Sequence, residues 1–124
     1  MSYDLCLCDP VTSERLVLDQ PHHMRGGTYQ IGGTTRASMN ITYNYADHLY
    51  RVLPDPGPTG QEGIRSIYGL SGAEAIPILE GAISLLGDDV DPDYWKSTEG
   101  NTKSALTKVL ALSRMRPDGV WRGD

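Results

Sequence analysis

Apolar and polar residues alternate in two stretches of the chain. Residues 3–8 read Tyr-Asp-Leu-Cys-Leu-Cys, and residues 37–43 read Ala-Ser-Met-Asn-Ile-Thr-Tyr. A period of two is the mark of a strand with one buried face. Asp9-Pro10 opens a turn after the first stretch, and Arg15-Leu16-Val17-Leu18 reads as a return strand, which predicts an N-terminal hairpin. Residues 19–27 read as a loop carrying Pro21, His22, His23 and the pair Gly26-Gly27. A short β-favouring run over 28–31 follows, and Gly32-Gly33 predicts a tight turn into the second alternating strand.

From Tyr45 the period changes. Tyr45, Leu49 and Val52 recur at i, i+4 and i+7, so a helix is expected over 45–53, with Asn44 as its N-cap and Pro54 as its stop. Residues 54–63, PDPGPTGQEG, form a Pro/Gly-rich surface loop, and residues 64–68 are too short to assign. Ser71 and Glu74 have capping-box spacing. The helix they open carries Ile76, Leu79, Ala82, Ile83 and Leu86 on one stripe, with a bend or irregular first turn expected at Pro77 and a C-cap at Gly87. An acidic stretch over 88–95 precedes a last helix, from Ser97 or Thr98 to Met115, that buries Leu106, Val109, Leu110 and Ser113. After the turn at 117–119, Val120 and Trp121 are placed to fold back onto the core. Strands first and helices later predict a single α+β domain over 1–124. The expected architecture is a small antiparallel sheet, the hairpin plus two further strands, against about three helices.

Composition narrows what such a domain can do. A chain of 124 residues, 39% hydrophobic, can build one core without a staple. A net charge of −5 argues against nonspecific nucleic-acid binding, which needs a basic stripe, although a local basic pocket is compatible with it. The N-terminus has no basic segment leading into an apolar run, and no stretch approaches a membrane span. The expectation is a soluble protein in the cytoplasm of a bacterial host, without membrane association. Seven Tyr and two Trp stand against no Phe, a set suited to half-buried and binding surfaces.

Cys6 and Cys8, the only cysteines, fall on one face of a strand, where a disulfide would be strained; two reduced thiols are expected. His22 and His23 are adjacent and point apart in a strand, so a zinc site is not expected, nor is any cofactor. Asp89, Asp91 and Asp93 begin like a calcium loop but continue with Tyr94 where that loop needs Gly. No P-loop, dinucleotide fingerprint, nucleophile elbow or HExxH occurs, and Ser71 in GLSGAE lacks elbow spacing.

The residues with chemistry to offer are the row Asn40, Thr42 and Asn44, which projects from one strand face, with Tyr43, His48, Trp95 and Asn101. Amides and hydroxyls have no useful pKa near neutrality, so the row suits recognition better than bond breaking. The alternative is a solvated sheet face, with Asn44 spent on capping. Asn101 stands in a first helical turn, fit either to cap or to meet an anion.

As a set, Gly32-Gly33-Thr34, the N-x-T-x-N run from Asn40 to Asn44, GAEAIPIL at 72–79, DYW at 93–95, and TEGNTKSAL and MRPDGVW over 98–121 resemble a family of small uncharacterised proteins of bacteriophages, prophages and bacteria. The likeness spans nearly the full length and carries over no catalytic residue. It implies a non-enzymatic accessory protein that sequesters a small ligand, such as a nucleotide, or blocks a host defence protein, alone or as a homo-oligomer. An enzyme of unfamiliar type, using a His or Asp in the same cleft, and a virion structural or assembly protein are the alternatives.

Overall fold

The computed structural model describes residues 1–24 and 31–124. The Gly26-Gly27 pair and the expected β run, apart from Ile31, lie outside them. The fold is α+β, with antiparallel strands in two small sheets and three helices packed together. In the first sheet β1 (Ser2–Cys8) is central, flanked by β4 (Ser38–Thr42) and β5 (Val120–Gly123), both antiparallel to it. The second sheet pairs β2 (Val17–His22) with β3 (Thr34–Arg36). Helices α1 (Ala46–Val52), α2 (Gly72–Ser84) and α3 (Glu99–Met115) cover one face of the first sheet. Tyr3, Leu5 and Leu7 of β1, Met39 and Ile41 of β4 and Trp121 of β5 are buried there with Leu49, Leu79 and Leu106 of the helices. The period-two pattern is therefore the core pattern: odd positions of β1 and β4 face inward, even positions outward.

The N-terminal hairpin is reduced to its turn. Leu16 N–H donates to Leu7 O (2.9 Å) and Arg15 bridges to Cys8, but Val17 onwards pairs with β3. The reason is competition for β1, because β5 and β4 take its two edges. Asp9 holds the turn by accepting from the N–H groups of Val11 and Thr12. β2 also runs through Pro21 to His22, where a loop was expected. A two-stranded sheet consists of edges, where proline is tolerated, and its register shifts between Val17 and His22. Gly32 and Gly33 make the turn before β3 with φ of 80° and 75°.

Helix α1 follows a 3₁₀ turn (Tyr43–Tyr45), and the cap of that turn is Thr42, not Asn44: Thr42 Oγ1 accepts from Asn44 N–H at 3.2 Å. The capping box forms as read, each of its two bonds 3.0 Å long. Helix α2 is unbroken at Pro77 and ends at Ser84, with Leu85 as its C-cap; Gly87 does not cap it and instead donates its N–H to Glu99. Thr98 caps α3. The loop 54–63 folds back on itself through Gly57 N–H to Gln61 O and Gly63 N–H to Leu53 O. Residues 64–67 belong to a second 3₁₀ turn, Gly63–Ile67. Among the described residues no helix is long and apolar enough to cross a membrane.

Candidate functional site

The acidic stretch 88–96 is a tied loop that crosses from α2 to α3 beside β4. Three of its carboxylates hold backbone N–H groups, and Asp88 and Asp91 also pair with Lys103 and Lys96. Asp89 accepts from Gly100 N–H (2.9 Å), Asp91 from Asp93 N–H (2.8 Å) and Asp93 from Trp95 N–H (3.1 Å). Among the described residues no three His, Cys, Asp or Glu side chains converge as a metal site.

The structure gathers Thr42, Asn44, His48, Trp95 and Asn101 around this loop and uses most of their polar atoms to hold it. Asn101 is buried; its Oδ1 accepts from Asp91 N–H, and its Nδ2 donates to Asp93 O and Lys96 O. Asn44 Nδ2 donates to Trp95 O at 2.8 Å, and His48 Nε2 donates to Ser97 O at 3.2 Å. The buried phenol of Tyr45 donates to the Tyr94 carbonyl. Burial pushes that phenol up to about 12, with the neighbouring Tyr94 and Asp93 adding to the shift, so it is a donor at neutral pH. Thr42 is buried and its hydroxyl caps the 3₁₀ turn. Tyr43 lies elsewhere, edge-on to Tyr3 with Arg65 over both rings. Trp95 is half exposed and stands edge-on to Tyr94, outside the cleft described next.

Asn40 differs from the others. Its side chain makes no hydrogen bond among the described residues, and its main chain is also open. β4 is an edge strand. Tyr43 N–H donates to Met1 O and Leu7 N–H to Ala37 O, whereas Thr42 N–H turns away from β1 and donates to Tyr94 Oη at 3.1 Å. In an antiparallel ladder these directions alternate, so the N–H and C=O of Asn40 also point away from β1. They open beside a cleft of about 290 Å³ between β4, the 88–96 loop and α3. Met39, Tyr45, Val90, Pro92 and Ala105 give it apolar walls. Asn40, Asp91, Asn101, Ser104 and Lys108 supply the polar lining. Lys108 makes no ion pair with any described carboxylate.

Such a cleft offers a largely apolar slot, an adjacent main-chain donor and acceptor with an amide, and one cation. Ser104 and Lys108 were not singled out in the sequence. Their signal was spacing: Asn101, Ser104, Ala105 and Lys108 fall on one helical face. The chain matches no family model, no curated protein and no solved structure.

Proposed function

We propose that the protein is a non-catalytic binding protein, of the accessory kind phages encode, which sequesters a small nucleotide-like ligand in the cleft between β4 and α3. The observation that carries this reading is the open edge at Asn40. A main-chain N–H and C=O side by side match the paired acceptor and donor on the edge of a nucleobase. Tyr45, Met39 and Ala105 give the base apolar contacts, and Lys108 is placed to meet a phosphate. Binding is favoured over turnover because Asn40, Ser104 and the open peptide exchange no proton near neutrality, and Asp91, the one carboxylate lining the cleft, is already bonded to Asp93 N–H and paired with Lys96.

The test is native mass spectrometry of the whole chain with a panel of nucleosides and nucleotides and with a host small-molecule extract. One ligand per chain is expected, recovered chemically unchanged when supplied in excess. Lys108→Glu is expected to weaken a phosphorylated ligand by about tenfold or more and the matching nucleoside far less. Asn40→Ala weakens both. A clean unliganded mass throughout, or wild-type affinity in both folded variants, overturns the reading.

Blocking of a host protein is the second reading. It is favoured by a larger apolar groove, about 550 Å³, between the 54–58 segment and α2, where Ile78 and Leu85 are exposed. Pull-down with and without Leu85→Asp tests it.

A further inference from the structure

The outer face of the first sheet carries a second constellation, which meets the cleft only at Met39 and Asn40. Cys6 and Cys8 are both free thiols, and their sulfurs lie 3.3 Å apart on the face turned away from the helices. Cys6 stands opposite Ser38 on β4 and Arg122 on β5. Cys8 stands opposite Val120 and, through its isolated bridge, Arg15. Cross-strand partners share a face, so Arg15 and Arg122 flank the sulfur pair. Cys6, Arg15, Arg36 and Ser38 line a polar cleft of about 380 Å³ there, with Asp4 as its one carboxylate. None of these three arginines forms an ion pair with a described carboxylate.

We propose that Cys6 and Cys8 form a two-coordinate site for a soft monovalent cation, Cu(I), whose bis-thiolate complex is neutralised by Arg15 and Arg122. Geometry favours a bridging metal over a disulfide. Two residues of strand span about 6.6 Å, at the outer limit of about 6.8 Å for disulfide Cα atoms. A linear Cu(I) bis-thiolate holds its sulfurs farther apart than the 3.3 Å seen here, and a change of χ1 rotamer at the half-buried Cys6 would widen the pair. The ligand count selects the metal. No third His, Cys, Asp or Glu joins the pair among the described residues, so tetrahedral zinc has no ligand set, whereas thiolates suit Cu(I). Two thiolates and one monovalent cation carry a net single negative charge, which Arg15 and Arg122 favour; burial of Cys8 opposes it by pushing that thiol up to about 11, so copper affinity is expected to rise with pH. On binding, each thiol releases its proton to water and no electron is transferred.

The experiment titrates Cu(I) into the reduced whole chain under anaerobic conditions against a chromogenic Cu(I) chelator. The wild type is expected to withhold one equivalent, and its unfolding midpoint to rise with copper. Cys6→Ser is expected to surrender that equivalent and lose the copper-dependent rise. Cys6 is only half-buried, so this variant keeps the test open if Cys8→Ser fails to fold. Arg122→Gln leaves both sulfurs in place and is expected to bind about tenfold more weakly. Complete transfer of copper from the wild type to the chelator, or a full equivalent retained by Cys6→Ser, overturns the proposal.

Discussion

Asn40 and Asn44 carry the same side chain four residues apart, and their fates differ because of what lies opposite. Asn44 meets the Trp95 carbonyl and holds it; Asn40 meets an open cleft. A polar group that already has a protein partner is structural, and one facing space is available to a ligand. The same rule applies at Trp121, whose buried indole N–H donates to Ser113 Oγ at 2.9 Å, while that hydroxyl donates to Val109 O. Ser113→Ala removes the acceptor and strands the indole N–H in the core. It is expected to cost about 1–3 kcal/mol, read from the urea midpoint, with ligand and copper binding unchanged. Position 113 was legible as buried from helical spacing alone. That its hydroxyl serves a tryptophan eight positions away was not, because the contact depends on β5 returning beside α3.

The start of α3 and the loop it holds behave as one element. Gly100 sits where the loop backbone presses on the helix: a Cβ there would lie 2.5 Å from Val90 N and 2.6 Å from Asp89 C. Alanine in a helix gains about 1 kcal/mol over glycine. Here that gain is outweighed, since the obstruction is backbone on both sides and overpacking of this kind costs about 1–3 kcal/mol. Gly100→Ala is therefore expected to lower the melting temperature and to speed amide exchange across 88–96. Because that loop forms a wall of the β4–α3 cleft, the variant should also weaken any ligand held there. The acidic run was legible in the sequence as a turn, with Tyr94 arguing against a calcium loop, yet which backbone groups its aspartates hold was not, because Gly100, Asp93 and Trp95 are brought to them only by the folded loop.

Over the whole molecule, the tyrosine-for-phenylalanine usage has a consequence at high pH. Burial raises the phenols of Tyr3, Tyr45 and Tyr68 above the ordinary value of 10.0, Tyr45 to about 12. A raised folded value means that the folded chain holds protons which the unfolded chain releases. Stability from these groups is thus complete below pH 10 and is lost as pH climbs towards the folded values. Melting temperature is expected to fall steeply above pH 10, and Tyr68→Phe to soften the fall. A melting temperature that stays level from about pH 9 to about pH 12 would contradict this. Glu74 and Asp9 work in the opposite direction at low pH. Backbone N–H groups hold both carboxyls below their ordinary values, so their contribution fades as pH drops below about 4.

Local sequence determined the elements whose cause is local. The strand period of β1 and β4, the Ser71–Glu74 box, the Thr98 start of α3 and the Gly32-Gly33 turn each depend on residues within a few positions. Tertiary structure decided whatever required two distant segments to compete for one partner. β5 and β4 claimed the edges of β1 and sent β2 into a second sheet. Thr42 took the cap expected of Asn44 because the chain turned one residue-pair early, which freed Asn44 for Trp95. The open edge at Asn40 and the arginines around Cys6 and Cys8 have the same origin. Exposure of a peptide edge or convergence of charges is a property of strand order, and no pattern along the chain encodes that directly.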